Sequence, residues 1–202
     1  MSKRRLFIHA GMLLLAAACA PAAEAPPAPV PAPAPAPQPA PAPAPPVSPA
    51  PPALAAAPWA GGRLSAGEVP AVFAAEWRKA PNRATCALVA PSSLGEGAGA
   101  TARAATFSGG WSVAYDRPGL RSAFGVAGTG SRAADPAYDD WPHRRAWADG
   151  GTAGYGPEGG SGPNQLAYLR IPGQDCLYNV WSRLGRAHLE HLLDHLRFVA
   201  VP

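Results

Sequence analysis

Hydrophobic and polar positions divide the chain into three stretches of different texture. The first is an apolar run at 6–18, broken only by His9 and Gly11, behind the cationic cluster Lys3-Arg4-Arg5. It is shorter than the roughly 20 apolar residues a spanning helix needs, and with its basic start it predicts a signal peptide over residues 1–18. The second, 21–58, shows no periodicity: it is almost only Pro and Ala and holds 17 of the chain's 27 prolines. Proline fixes φ and lacks an amide donor, so neither helix nor sheet can form there; polyproline II spacing makes the stretch a semi-rigid tether of roughly 120 Å at full reach. The third, 59–202, is periodic and predicts one folded domain.

Within that domain, Val69, Phe73 and Trp77 recur every four residues. They predict a helix from Pro70 to about Ala80, stopped by Pro81-Asn82. Residues 85–90 read as a strand with Cys86 and Leu88 on one face. Three strand–turn–strand units follow. Phe107 and Trp111 flank Ser108-Gly109-Gly110; Val113 and Tyr115 precede Arg117-Pro118-Gly119, with Phe124 and Val126 beyond it; 166–171 and 176–181 flank Pro172-Gly173. A Pro-Gly pair suits a type II turn, because proline sets φ at the second position and glycine accepts positive φ at the third. Leu189, Leu192, Leu193, Leu196 and Val199 share one helical arc and predict a final helix over 184–199. The order of elements gives an α+β fold: an antiparallel sheet with N- and C-terminal helices packed on it. Segment 128–162 reads as a long polar, glycine-rich loop, a kind that is usually functional or disordered.

The short stretch after the apolar run changes the picture. Leu15-Ala16-Ala17-Ala18-Cys19 resembles the lipobox of bacterial lipoproteins. That family prefers Leu three residues before the cysteine, where this chain has Ala16. The resemblance covers about residues 1–58 and implies that Cys19 is lipidated and becomes the mature N-terminus. Ala20, rather than Asp, follows it, which in that family implies an exported protein held at the outer membrane, its domain in the periplasm or at the cell surface. Two or more acyl chains anchor far more firmly than one. The alternatives are ordinary cleavage at an Ala-x-Ala site, leaving Cys19 a free thiol, and an uncleaved signal-anchor. The remaining cysteines, Cys86 and Cys176, form a pair that an oxidising compartment favours bridging; two buried thiols or a redox pair are the other readings.

Charge narrows the partners. Setting aside Lys3, Arg4, Arg5 and Glu24 leaves 14 Lys+Arg against 12 Asp+Glu in the domain. No basic run with interleaved aromatics occurs, so nucleic acid is not an expected partner. Two constellations are candidates for chemistry. His188, His191 and His195 fall within an arc of about 60° on a helix, a spacing at which imidazoles can share zinc. The pattern is not HExxH, and three histidines on a helix edge are commonly a solvated border, so no cofactor is expected and zinc is the alternative. Trp141, Arg144, Arg145 and Trp147 combine aromatic faces with charge, which suits a glycan, peptide or protein ligand; the bland alternative is that the tryptophans pin the loop to the core. Gly154–Gly159 matches GxGxxG without the strand before and helix after that a dinucleotide site needs. The sequence therefore predicts a lipid-anchored, non-enzymatic binding or structural module for an envelope protein or cell-wall partner. The alternative is a metal-dependent periplasmic or cell-wall hydrolase using the three histidines.

Overall fold

The computed structural model describes residues 53–134 and 140–201. The signal segment, Cys19, most of the Pro/Ala stretch and residues 135–139 of the predicted loop lie outside the described residues. Among the described residues, the elements in chain order are β1 (Arg63–Leu64), α1 (Val72–Lys79), β2 (Val89–Pro91), β3 (Thr101–Ala104), β4 (Trp111–Arg117) and β5 (Leu120–Gly128), then β6 (His143–Ala146), β7 (Thr152–Pro157), β8 (Gln165–Arg170), β9 (Tyr178–Ser182), α2 (Arg186–Asp194) and β10 (Leu196–Val199). Seven strands form one antiparallel sheet in the order β3-β4-β5-β9-β8-β7-β6. The other three form a small sheet, β1-β10-β2, with β10 parallel to β1 and antiparallel to β2. The fold is α+β and mostly antiparallel, with one helix early and one late.

Side chains alternate across a strand, so each strand of the large sheet offers two faces. On the inner face lie Trp111, Val113 and Tyr115 of β4, Phe124 and Val126 of β5, Tyr178 and Val180 of β9, and Ala167 and Leu169 of β8, all buried. Helix α1 sets Phe73 against Tyr115 at 6.1 Å between ring centres. Helix α2 contributes Leu189, Leu192 and Leu193, and Leu192, Leu196 and Pro91 close over Tyr115, Phe124 and Val180. Both helices and the small sheet therefore cover the same inner face. The two Pro-Gly turns form as their chemistry predicts: Gly119 (φ +72°) joins β4 to β5, and Gly173 (φ +80°) lies between β8 and β9.

Several expectations are corrected. The final helix stops at Asp194, and Leu196–Val199 is a strand, the middle one of the small sheet. His195 leaves the helical backbone, and its Nδ1 lies 2.8 Å from the His191 carbonyl; Leu196 is buried as the arc predicts, but in a sheet. The strand expected at 85–90 begins only at Val89, with Thr85 and Cys86 in turns. Cys86 and Cys176 are bonded, Cα to Cα 5.4 Å, yet they join loops that lead into β2 and β9, which belong to different sheets. The long loop contains a hairpin, β6–β7, that makes one edge of the large sheet. At the domain's start, Ala57 and Pro58 are already buried and the Ala55 carbonyl accepts the Ala148 amide at 2.8 Å, so ordered chain precedes Trp59.

Candidate functional site

The outer face of the large sheet carries neither helix. Alternation places Ser112 and Ala114 of β4, Ala123, Gly125 and Ala127 of β5, Asn179 and Trp181 of β9, and Leu166 and Tyr168 of β8 there. Register makes rows of them: Ser112, Ala127, Asn179 and Tyr168 are successive cross-strand partners, as are Ala114, Gly125, Trp181 and Leu166. The Trp181 indole lies over Gly125, where a Cβ would meet its Cζ2 at 2.2 Å. Small residues on the middle strand thus form a floor, and the aromatic and aliphatic side chains of β8 and β9 form one wall. Phe107, in the loop between β3 and β4, lines the other side.

The resulting groove has a volume of about 510 Å³, within the range usual for small-ligand sites. Its floor has two polar atoms with nothing to bond. Ser112 is 1% exposed and Asn179 5% exposed, and neither Ser112 Oγ nor Asn179 Oδ1 has a hydrogen-bond partner. A buried polar atom left unpaired costs about 1–3 kcal/mol; these two lie on β4 and β9, on either side of Ala127 of β5.

One end of the groove is braced. Arg103 of β3 reaches across β4: its Nε donates to Asp116 Oδ2 at 2.8 Å and its Nη2 to Ser122 Oγ at 2.5 Å. The Ser122 amide donates to Asp116 Oδ1 at 2.6 Å. Ser122 has φ +49°, in the left-handed region, next to a break in register between Tyr115 and Arg117. That backbone breaks the strand's alternation and lets the Ser122 hydroxyl face the groove. The Ser122 amide and the Arg103 guanidinium hold the Asp116 carboxyl below its usual range.

The aromatic residues predicted for ligand binding separate. Trp141 packs on Tyr168 at 5.6 Å between ring centres and covers Gly154 of β7, and it is not among the residues that line the groove. Trp147 is 2% exposed, stacked edge-on against Trp59 at 4.9 Å; it is a core residue. Arg144 and Arg145 sit on edge strand β6 and line a separate cleft of about 290 Å³ with Arg170. Arg145 pairs with Asp194 of α2.

The histidines have other company. His188 is 2% exposed, with Nε2 3.0 Å from the Leu94 carbonyl and Nδ1 2.9 Å from Ser182 Oγ. A carbonyl only accepts, so Nε2 carries the proton and Nδ1 accepts from the Ser182 hydroxyl, which in turn accepts the Leu184 amide at 3.0 Å. Both ring nitrogens are occupied. The His191 ring stacks on that of His195 at 4.0 Å, with Nε2 3.0 Å from Ser93 Oγ, and rests on Gly95. Among the described residues, no three His, Cys, Asp or Glu converge as a metal site. Both serine–histidine contacts involve α2, on the inner side of the sheet, and Ser182 is fully buried.

Burial pushes the His188 pKa down, opposed by the bond to the Leu94 carbonyl and by Glu96, and assisted by His191 and Arg117. The folded protein therefore keeps His188 neutral while the unfolded chain takes up a proton near pH 6.5. Stability from this group is complete above that pH and falls as pH drops below it, by at most about 1.4 kcal/mol per pH unit. Urea denaturation at pH 7.5 and 5.5 is expected to show that loss in the wild type and a smaller one in His188→Gln. Equal slopes in the two proteins would count against a buried neutral His188.

No family model, no curated protein and no solved structure matches this chain. The groove must be read from its own residues. Three of those residues were within reach of the sequence: once 166–171 and 176–181 are strands, two-residue alternation puts Tyr168 on one face and Asn179 with Trp181 on another. Nothing in the sequence says that the two faces coincide; that needs the register of β8 on β9.

Proposed function

We propose that this chain is an envelope lipoprotein whose folded domain is a non-enzymatic binding module, and that it takes its ligand in the groove on the outer face of the large sheet. Lipidated Cys19 would hold the chain at the membrane, and the Pro/Ala stretch would carry the domain away from it. The observation that carries the reading is the groove itself, on the sheet face that neither helix covers, walled by Phe107, Leu166, Tyr168 and Trp181. The groove offers platforms and hydrogen-bonding groups, and its serines Ser112 and Ser122 have no histidine partner among the described residues, which favours binding over acyl transfer.

The test is a photo-crosslinking residue placed at Leu166 in intact cells, with the exposed position Arg78 of α1 as control. The reading predicts one discrete adduct from Leu166, lost on adding Trp181→Ala, and none from Arg78. Intact-mass spectrometry of the same membrane-extracted protein is expected to find an acylated Cys19 as first residue. Identical adducts from both positions would contradict a groove-centred function, and an unacylated mature N-terminus would contradict the anchor.

A further inference from the structure

Resting on that reading, we infer that the groove's ligand is a short stretch of peptide that presents an ammonium group to Glu158, a carboxylate to Arg183 and Ser122, and an apolar side chain between them to Trp181 and Leu166.

Two opposite charges line the groove without meeting each other. Glu158 follows the end of β7, where its amide donates to the Asn164 carbonyl at 2.8 Å; Arg183 follows the end of β9, where its amide donates to the Ala123 carbonyl at 2.7 Å. They stand one residue beyond the partners Pro157–Gln165 and Gln165–Ser182, so β8 separates them. Strand alternation puts Arg183 on the face of Trp181 and Glu158 on the face of Gly154 and Gly156, the outer face in both cases, and both residues line the groove. Both are exposed, and among the described residues neither takes part in an ion pair. Two strand spacings hold their backbones about 10 Å apart. A ligand with one charged group answers one of them and leaves the other; a ligand that answers both carries a cation and an anion with a body between.

The anionic end of the ligand has more than one partner. Half-buried Ser122 accepts Arg103 Nη2 on its Oγ at 2.5 Å, which leaves the hydroxyl hydrogen for an acceptor in the groove. The neighbouring Asp116 carboxylate is held by Arg103 and by the Ser122 amide, so a carboxylate arriving at Ser122 meets a charge already balanced. Arg183 gives Nη1 to the Arg121 carbonyl at 3.0 Å and keeps the other donors of its planar fork for the ligand. The next row inward is apolar: half-buried Trp181 and Leu166 are cross-strand partners, and Phe107 lines the groove across from them. An extended peptide has this layout. It advances about 3.3 Å per residue, so three residues span the two charges and the middle side chain falls on Trp181 and Leu166. The amine and phosphate of a zwitterionic lipid headgroup are joined by an ethylene bridge, too short to reach both ends. The Arg103–Asp116–Ser122 brace fixes the Ser122 side before the ligand arrives, which lowers the ordering cost of binding.

The experiment is an NMR titration of the full chain carrying Cys19→Ser, followed at the Trp181 indole N–H. Probes are Ala-Leu-Ala with free ends, acetyl-Lys-Leu-Asp-amide with the same two charges on side chains, the uncharged acetyl-Ala-Leu-Ala-amide, and phosphatidylethanolamine vesicles. Saturable shifts are expected from at least one charged peptide, and the tighter of the two tells chain ends from side chains. The uncharged peptide should bind at least about fivefold more weakly, and the vesicles should produce no shift. Arg183→Glu is the sharper variant, because it changes an exposed position and leaves two acids in the groove. It should leave the melting temperature little changed, weaken the charged peptide about tenfold, and favour the dication Ala-Leu-Lys-amide over it. Equal affinity for charged and uncharged peptides, or an Arg183→Glu protein that keeps the wild-type preference, would overturn the inference. Shifts from the vesicles alone would give the groove to a lipid instead. No peptide binding by a folded protein whose Leu166 photo-adduct still forms would overturn the inference without touching the broader reading; loss of that adduct as well would overturn both.

Discussion

Replacing Cys86 and Cys176 together by Ala is expected to lower the unfolding free energy by about 4–5 kcal/mol, the largest loss from any pair of changes considered for this chain. The bond closes a loop with a sequence separation of 90 residues, and a cross-link of that span removes much of the unfolded chain's freedom. The native geometry around it is already held by other contacts. The Asp175 amide donates to the Thr85 carbonyl at 2.9 Å, the Ala87 amide to Gln174 Oε1 at 2.7 Å, and the Tyr178 hydroxyl to the Ala87 carbonyl at 2.9 Å. Gly128 keeps the site open, since a Cβ there would fall 2.5 Å from Cys86 Sγ. Because these contacts persist without the sulfur bridge, the loss should come mainly from the unfolded state. The urea m-value is then expected to rise as the unfolded chain expands. A loss under about 1 kcal/mol with unchanged m-value would mean that the non-covalent strap alone defines the junction between the two sheets.

Leu193→Ala comes next, at about 2–5 kcal/mol. Leu193 is fully buried, on the face of α2 that it shares with Leu189 and Leu192. The helix has 9 residues and no side-chain cap at Gly185, so it holds together through packing rather than through its own hydrogen bonds. Truncating Leu193 leaves a void between α2 and the inner face of the sheet, where the surrounding rings and strands can close only in part. Leu189→Ala should fall in the same range. Exposed Ala187, on the opposite face, should tolerate Ser with a change within about 0.5 kcal/mol. Thermal or urea unfolding ranks the three; equal, small losses would mean that α2 does not carry the core.

What the sequence made legible follows from how local each signal is. Pro118-Gly119 and Pro172-Gly173 each fix their own turn, so both could be placed without knowing anything distant. The arc of leucines on α2 was visible for the same reason. The end of that helix was not, because Leu196 and Val199 continue the helical period while the backbone has already turned to pair with β1 and β2. Apolar spacing cannot distinguish a fourth helical turn from a strand that buries its first and last residues. Hairpin β6–β7 was hidden for a different reason. Arg144, Arg145 and His143 on an edge strand, and glycines under Trp141 and Pro142 on β7, carry no run of β-branched residues, so the pair reads as loop. The groove was half legible. Tyr168 and Trp181 fall on strand faces by alternation alone, whereas Ser112 and Asn179 are single polar residues in apolar strands, and their significance depends on what lies across the sheet from each. Trp147 shows the limit of composition: next to the same arginines, it is part of the core.

Holding a partner on the outer face of the large sheet, as proposed, requires no lipid. The most direct measurement is co-sedimentation of the full chain carrying Cys19→Ser with isolated cell envelopes, compared with the same protein also carrying Trp181→Ala. The first is expected to sediment saturably without its anchor, and the second to stay mostly in the supernatant while unfolding at the same temperature. Equal sedimentation of both proteins, or none of either, would contradict that proposal.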